Sequence, residues 1–399
     1  MTKFFKTDKT RIISPQGLPV YMRGVNVGGW LMMEGYFMHA PSLAVAKFKK
    51  EFAQALGAKA LLEFENSFHN TFIREDDFKS IAKSGFNSVR VPFHHGLIEK
   101  SPYSYDAGGV AYLDRVLAWG KKYGLAIILD LHAAPGAQNH DWHSDSDGKA
   151  NLWKSKANQK RVFALWEFLA DRYKDNPTVL GYDLLNETVI GDPKVLADFY
   201  KKLIAVIRKV DRNHIIFAEG NRWAQDVGCL EDLNDDNLVV SIHFYEPLEF
   251  TFTLVPFLKY PLKSGIKAWH KPQIKKRLEE YSKFSEKHKR PVHVGEFGVN
   301  YRQGLYGEDV YLRHVIECFN EFGFHWNYWT YKAIKNSMFP DGIYSYYPNS
   351  PWVARQGPKT GWDTYASLWP TRKDEIIKSW HTANFSLNTR VYEVLKNGV

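Results

Sequence analysis

The sequence predicts an α/β fold, a (β/α)8 TIM barrel with a short N-terminal hairpin and long loops on the C-terminal face. Two observations lead to this prediction. Short apolar runs alternate with amphipathic helical segments along the 399 residues, which is the pattern of parallel βα units. Two of these runs also end in a glutamate, Glu187 and Glu296, and residues so far apart in the chain meet only if a closed parallel sheet brings the same ends of its strands together.

Eight apolar runs are predicted as strands, and several lack polar–apolar alternation, as expected of strands buried on both faces. They are Met22–Val27, Ser88–Phe93, Ala126–His132, Leu180–Glu187, Ile215–Gly220, Val239–Tyr245, Val292–Phe297 and Trp326–Tyr331. Between them lie helices with one apolar face, such as the stripe of Leu196, Leu203 and Val210. We therefore expect one barrel domain over residues 1–399, with an open, doubly wound sheet as the structural alternative.

Three connections are expected to shape the two ends of the barrel. Arg11–Tyr21 contains a turn sequence and is predicted to form a hairpin that covers the bottom. Pro247–Arg290, after the sixth strand, and Ala333–Pro370, after the eighth, are long and rich in aromatic residues. Both are expected above the C-terminal face, where barrel enzymes build their sites.

Composition narrows the class of partner. Aromatic residues make up 15% of the chain, which fits either sugar stacking or a large aromatic core. The formal net charge is +9, but the basic residues are spread over helical segments instead of clustered, so no nucleic-acid partner is expected.

The cysteines and the N-terminal residues indicate the cellular compartment in which the protein is expected. Two cysteines, Cys229 and Cys318, exclude a disulfide scaffold and are expected to be free thiols. The first residues contain no apolar signal region and no run is long enough to span a membrane, so a cytoplasmic location is expected, with a secreted form that has lost its signal as the alternative.

Polar side chains recur at or near the ends of the predicted strands. They are Arg90, His132, Asn186, Glu187, His243, Tyr245, Glu296 and Trp329. One such residue is usually structural, but a full set at the same end of a barrel is difficult to explain by packing. The set predicts a catalytic site with two carboxylates at its centre.

Two carboxylates are what glycosidic cleavage requires: one protonates the leaving oxygen and the other stabilises or traps the sugar carbon. Glu296 suits the nucleophile, because Arg90 and Tyr245 are candidate donors that would favour its charged form. Glu187 suits the acid; the charge of Glu296 and partial desolvation are expected to raise its pKa, with His243 tuning it. These residues alone leave open which carboxylate takes which part.

The remaining strand-end residues are suited to sugar binding. Asn186 can donate to a 2-hydroxyl, and Trp329 can form the floor of a subsite. Retention of configuration would require carboxyl groups about 5–5.5 Å apart. Since two carboxylates suffice for this reaction, no cofactor is predicted.

The motifs around these residues resemble glycoside hydrolase family 5, the cellulase A type, over nearly the full chain. They are Arg90-Val91-Pro92, Asp130-Leu131-His132, Leu185-Asn186-Glu187-Thr188, His243-Phe244-Tyr245, Gly295-Glu296-Phe297-Gly298 and Trp329-Thr330-Tyr331-Lys332. The resemblance implies that the eight strand-end residues are the family's usual active-site positions. It also implies that Glu187 is the acid/base and Glu296 the nucleophile.

Finer features resemble the exo-β-1,3-glucanase branch and its bacterial relatives. They are Gly24–Leu31 followed by Glu34, Phe72–Phe78, and His132–Asn139. In that branch the position of Glu34 reaches into the sugar pocket, and we expect Trp30 to contact substrate with it. The loop His140–Asp145 departs from the fungal pattern, which leaves the linkage open.

The predicted function is a retaining β-glycosidase that hydrolyses β-glucosidic bonds of glucans or glucosides and is exo-acting, since the long loops would wall off one end of the cleft. Endo-β-1,4-glucanase and β-mannosidase or mannanase activities are the alternatives. A non-catalytic carbohydrate-binding barrel is a different class, which would be expected to lack one glutamate.

A cluster of metal-binding residue types was also weighed. His140, Asp141, His143, Asp145 and Asp147 lie in one loop, but their spacing matches no EF-hand and no His-Glu-x-x-His pattern. No metal is therefore predicted. The expected partner is a β-linked oligosaccharide or glucoside, with no nucleic acid and no membrane, and the chain is expected to be a monomer.

Overall fold

The structure is a computed structural model that describes residues 3–38, 43–262, 268–334, 338–346 and 362–398. Its strands are β1 Lys6–Asp8, β2 Arg11–Ile13, β3 Pro19–Val20, β4 Arg23–Asn26, β5 Ser88–His94, β6 Glu99–Ser101, β7 Ser104–Tyr105, β8 Ala126–Ala133, β9 Val179–Asp183, β10 Ile215–Glu219, β11 Leu238–Phe244, β12 Val292–Phe297, β13 His325–Tyr328, β14 Lys332–Ile334, β15 Tyr344–Tyr346 and β16 Ser386–Leu387. Its α-helices are α1 Val45–Leu56, α2 Ala58–Thr71, α3 Glu75–Lys83, α4 His95–Ile98, α5 Ala107–Tyr123, α6 Lys156–Tyr173, α7 Pro193–Val210, α8 Asn221–Ala224, α9 Leu248–Thr251, α10 Lys271–His288, α11 Glu308–Phe322, α12 Trp362–Ser379 and α13 Thr389–Asn397.

Eight strands close into a barrel in the order of the chain: β4, β5, β8, β9, β10, β11, β12 and β13. Every neighbouring pair is parallel, including the closing pair of β13 with β4. The predicted barrel is confirmed, and each predicted run overlaps one of its strands. The largest difference is in the fourth, which ends at Asp183: Glu187 has a φ of 47°, outside the extended range, so the chain leaves the ladder before that residue.

The inner face of the barrel changes character along its axis. Alternate residues of a strand share one face, and on β8 these are Ile128, Asp130 and His132. The lower end holds a buried apolar cluster, formed by Ile12, Met22, Ala126, Ile128, Leu180, Ile215, Phe217 and Val239. The upper end holds buried charged residues instead, which marks it as the functional end.

The N-terminal segment covers the lower end, as predicted. β2 pairs antiparallel with β3, and β1 adds a third strand that the sequence did not indicate. Ile12 of this small sheet belongs to the apolar cluster, so the sheet closes the bottom of the core.

Local sequence accounts for several of the helix ends. The side chain of Ser155 accepts from the backbone N of Asn158 and caps α6, and Asp192 caps α7 with Pro193 in its first turn. Gly323 ends α11 with a φ of 70°, a conformation that costs glycine little. Between β10 and β11, where every residue is described, only α8 and a 3-10 turn at Gly228–Leu230 occur.

Among the described residues, parts of the two long connections lie outside the barrel and not above it. The interval after β11 contains α10, a regular outer helix, so the inserted part ends before Lys271. In the interval after β13, Trp369 is buried against Phe52 and Phe64 outside the barrel. Tyr347 and Trp352 lie outside the described residues.

The C-terminal part packs against the outside of the barrel helices. α12 contacts α1 and α2, and α13 contacts α11. Cys229 and Cys318 are both free. Within the described ranges, no helix combines the length and apolar character that crossing a bilayer requires.

Candidate active site

Arg90 is the centre of the charged layer at the upper end of the barrel. Its side chain is fully buried on β5, and its guanidinium lies 2.9 Å from Oε1 of Glu296. The other carboxylates around it are Asp183 at 2.9 Å, Glu219 at 2.8 Å and Asp130 at 3.1 Å. Burial opposes the charge of Arg90, but these carboxylates outweigh it and raise its pKa well above the usual value. Arg90 therefore stays charged beneath the site.

Burial acts against the charge of two of the carboxylates around Arg90. Burial raises the pKa of Asp130 to about 8, and burial together with Glu219 raises that of Asp183 well above its usual value. Like charges in contact cannot all ionise in a dry site. Burial therefore favours the neutral form of Asp130 and Asp183, whereas the charge of Arg90 favours their ionised form.

Glu296, at the end of β12, receives two donors. Nη1 of Arg90 bonds to its Oε1, and the hydroxyl of Tyr245 donates to its Oε2 over 2.8 Å. Burial raises the pKa of Glu296, and the charges of His243 and Arg90 offset part of that rise. The two predicted donors both reach this carboxylate.

Glu187 is held by its backbone as well as by its side chain. Its N–H donates to Oε2 of Glu219 over 2.6 Å, and its carbonyl accepts from Nδ2 of Asn139 over 2.8 Å. Its Oε1 lies 2.7 Å from Nδ1 of His243, and its Oε2 lies 3.0 Å from Nε2 of His143. These contacts fix a residue that stands in the left-handed region of backbone space.

The protonation of Glu187 differs from the prediction. Burial favours the neutral acid, but the hydrogen bonds from His143 and His243 outweigh burial and hold the pKa of Glu187 well below its usual range. Burial also disfavours a charged His243, yet Glu219 and Glu296 raise its pKa well above the usual value. The expectation of a raised pKa for Glu187 is wrong for the substrate-free site, because two imidazoles bond to its oxygens. These shifts favour a proton on His243 over one on Glu187, with which it is in contact.

The two central carboxylates face one another. One oxygen of Glu187, one oxygen of Glu296 and a ring nitrogen of His243 lie within 4.8 Å of each other. That spacing fits the short carboxylate separation of a double displacement better than the wider separation of an inverting site.

The carboxylates open into a cavity of about 330 Å³. Trp329 lines it and stacks on His132, with ring centroids 5.5 Å apart and planes 6° apart. Burial lowers the pKa of His132 to about 3, so its ring is neutral, and its Nδ1 lies 2.8 Å from Asp130. Asn186 uses its Oδ1 to accept from Arg90 over 2.9 Å.

Glu34 and Trp30, which the finer resemblance added to the site, lie in different environments. Glu34 lines the cavity; its Oε1 is buried 3.9 Å from Nε2 of His132, and burial raises its pKa well above the usual value. Trp30 is fully buried instead, donates to the carbonyl of His69 and stacks on Trp119. The expectation that Trp30 contacts substrate is wrong, because its side chain points toward the outer helices.

Four aromatic rings from four different connections form a continuous side of the cavity, which we call the aromatic wall: Tyr36, Trp142, Phe252 and Phe339. Phe339 lies 4.8 Å from Tyr36, 5.8 Å from Trp142 and 5.7 Å from Phe252 by ring centroids. Nε1 of Trp329 also donates to the hydroxyl of Tyr36 over 2.5 Å.

Several functional residues were missed from the sequence. Glu219 lies one residue before the end of the fifth predicted strand and ends β10, so the signal that identified the others was present there too. His143 was considered only as a metal ligand. In the structure three residues of its loop contact other groups: His143 contacts Glu187, Asp141 contacts Trp223, and Asp145 contacts His94.

Comparison with known proteins agrees with this architecture. Residues 48–335 match the family described as Cellulase (glycosyl hydrolase family 5). A β-xylosidase from Phanerodontia chrysosporium is 30% identical over 346 residues, which are 83% of this chain and 71% of that protein. Endoglucanase C from Acetivibrio thermocellus is 29% identical over 309 residues, 69% of this chain and 89% of that protein.

Two further similarities extend the comparison. The probable glucan 1,3-β-glucosidase A of Emericella nidulans is 29% identical over 292 residues, 69% of this chain and 66% of that protein. Among solved structures, Thermotoga maritima Cel5A in complex with mannotriose shares the fold, with a TM-score of 0.62 at 21% identity over 94% of this chain and 97% of that one. The chain belongs to glycoside hydrolase family 5 and is a retaining O-glycosyl hydrolase that acts on β-linked carbohydrate.

Proposed function

We propose that this protein is an exo-acting β-glycosidase that removes the terminal sugar from β-glucans or β-glucosides, with Glu296 as nucleophile and Glu187 as acid/base. The observation that carries this proposal is the pair of carboxylates within 4.8 Å of each other at the floor of one cavity. Their environments differ in the way that two roles require, because Glu296 bonds to a guanidinium and a phenol whereas Glu187 bonds to two imidazoles.

In the first step, a carboxylate oxygen of Glu296 attacks the anomeric carbon and forms a glycosyl ester. The bond from that carbon to the leaving oxygen breaks, and Glu187 gives its proton to the leaving oxygen. Before this step Glu187 takes the proton from Nδ1 of His243, which lies 2.7 Å from its Oε1.

In the second step, a water attacks the same carbon and the ester bond to Glu296 breaks. Glu187, now a carboxylate, accepts the proton of that water. Arg90 and Tyr245 then stabilise the released carboxylate of Glu296 through the same two hydrogen bonds that favoured its charged form at the start.

The aromatic wall supports exo action. A chain that passes through the site needs open space on both sides of the scissile bond, whereas the linked rings of Tyr36, Trp142, Phe252 and Phe339 close one side of the cavity. Of the long connection after β13, the described residues Phe339 and Pro340 contribute to the cavity lining. Aromatic rings also suit the apolar faces of a sugar.

A product time course tests exo action. On a long β-glucan we expect monosaccharide or disaccharide from the first time point and a slow loss of viscosity. Phe339→Ala, which opens the wall, is expected to release longer oligomers. Phe257→Ala is the matched control, since that ring is 82% exposed and lies outside the cavity lining. A ladder of oligomers and a rapid viscosity loss from the unaltered enzyme would contradict exo action.

Endo-β-1,4-glucanase activity is the second candidate. It is favoured by the similarity to endoglucanase C, which spans 89% of that protein. The sugar is tested by a panel of aryl β-glucoside, β-mannoside and β-xyloside together with laminarin-type, cellulose-type and mannan-type oligomers. Preference for cellulose-type oligomers cleaved internally would select the endoglucanase.

A further inference from the structure

A second imidazole contacts the proposed acid/base from a loop that lines the cavity. His143 follows β8 and places its Nε2 3.0 Å from Oε2 of Glu187, while His243 of β11 occupies Oε1 at 2.7 Å. The side chains of His143 and Glu187 are 16% and 13% exposed. Both oxygens of the proposed acid are therefore occupied by ring nitrogens before substrate arrives.

The loop is built to hold His143 in this place. Asn139 donates to the carbonyl of Glu187 over 2.8 Å and accepts from the backbone N of Asp141 over 2.8 Å. Nε1 of Trp223 donates to Oδ2 of Asp141 over 2.7 Å, and this hydrogen bond connects the loop to helix α8. These contacts lie on both sides of His143 in the chain, so its ring has little freedom to leave Glu187.

We infer that His143 is a positioning residue for the acid/base: its Nε2–H donates to Oε2 of Glu187, stabilises the carboxylate over the carboxylic acid, and so sets the pH at which the enzyme loses its acid. This inference rests on the proposed role of Glu187. The two imidazoles then have different roles. The buried His243 holds the proton beside Oε1 of Glu187, whereas His143 favours the carboxylate that the second step uses as a base.

The charges around the pair are consistent with this role. Glu187 faces His143 and His243 as donors, Glu296 across the site, and Glu219 at its backbone N–H. On its own side, His143 faces Asp141, Trp142 and the ring of His132 at 6.4 Å, and its Nε2 also lies 3.0 Å from the amide Nδ2 of Asn139. Burial lowers the pKa of His143, but its contacts with Glu187 outweigh burial and raise it.

The first test is the pH dependence of kcat/KM with a substrate whose leaving group is poor, so that acid catalysis is required. His143→Phe keeps a ring but removes the donor, which raises the pKa of Glu187. We expect the basic limb to move to higher pH by about one unit. His143→Gln, whose amide N–H can take the place of Nε2–H, is expected to return the limb toward that of the unaltered enzyme.

The matched control is His140→Phe, in the same loop. His140 is 50% exposed at its side chain and contacts Trp223 but not Glu187. The basic limb of the pH profile of His140→Phe should coincide with that of the unaltered enzyme. A His143→Phe enzyme that is slower at every pH with its basic limb unmoved would overturn the inference and leave His143 a purely structural residue.

The second test does not depend on turnover. The ring of His143 is titrated by NMR in the unaltered protein and in Glu187→Gln, and its midpoint is expected to fall in the variant because the carboxylate is gone. An unchanged midpoint would refute the contact. Full activity of Glu187→Gln on poor leaving groups would instead refute the role of Glu187, so the two failures are distinguishable.

Discussion

Tyr245 supplies one of the two hydrogen bonds that favour the charged form of the proposed nucleophile, and Tyr245→Phe removes only that bond. The phenol donates to Oε2 of Glu296 over 2.8 Å, and Glu296 keeps its bond to Arg90. A hydrogen bond to a charged group contributes about 1.5–3 kcal/mol. Since one pKa unit corresponds to about 1.36 kcal/mol, the pKa of Glu296 should rise by about one to two units.

The assay is the pH profile of kcat/KM with an aryl glycoside. Because Glu296 must be ionised to attack, the acidic limb of Tyr245→Phe is expected at higher pH by about one to two units, with activity above the limb reduced far less. The control is Tyr173→Phe, which removes a phenol that donates to Asp114 over 2.9 Å outside the barrel. If the acidic limb of Tyr245→Phe coincides with that of the control, Tyr245 does not stabilise the charge of Glu296.

Three further outcomes are expected. Glu296→Ala should abolish turnover, and azide should restore it with a glycosyl azide of inverted configuration; an azide product of retained configuration would contradict attack by Glu296. Gly24→Ala should destabilise the protein by about 1–3 kcal/mol in thermal unfolding, because its Cβ would lie 2.0 Å from the carbonyl O of Ser88, whereas the control Gly191→Ala meets nothing within 4 Å. Activity should survive dialysis against EDTA unchanged, and a loss that calcium or zinc restores would reveal a metal in the loop His140–Asp147.

The prediction of the barrel succeeded because its strands carry a local signal. A strand such as β12 or β8 is buried on both faces, so it appears in the sequence as a short apolar run between amphipathic helices. Parallel order then follows from the alternation of strands and helices. The same reasoning predicted that Arg90, Glu187 and Glu296 lie close together, since residues at equivalent strand ends meet when the sheet closes.

The prediction failed for side chains that could point either into the cavity or toward the outer helices. Trp30 and Glu34 lie close together in the chain, yet Trp30 turns outward to Trp119 while Glu34 faces the cavity. Trp369 was expected above the site and instead fills a gap between outer helices. An aromatic residue suits a packed core and a sugar equally well, so its type does not indicate which one it contacts.

The sequence by itself determined the fold and the chemical groups at the upper end of the barrel, because both depend on burial patterns and on residue types at strand ends. Only the tertiary structure decided the protonation of those groups. The pKa of Glu187 is lowered by His143, which lies in a loop, and by His243, which lies on another strand. Glu219 accepts hydrogen bonds from the backbone N–H of Glu187 and from Arg90. A pKa depends on distances of a few ångströms between groups that are remote in the chain, and folding alone sets those distances.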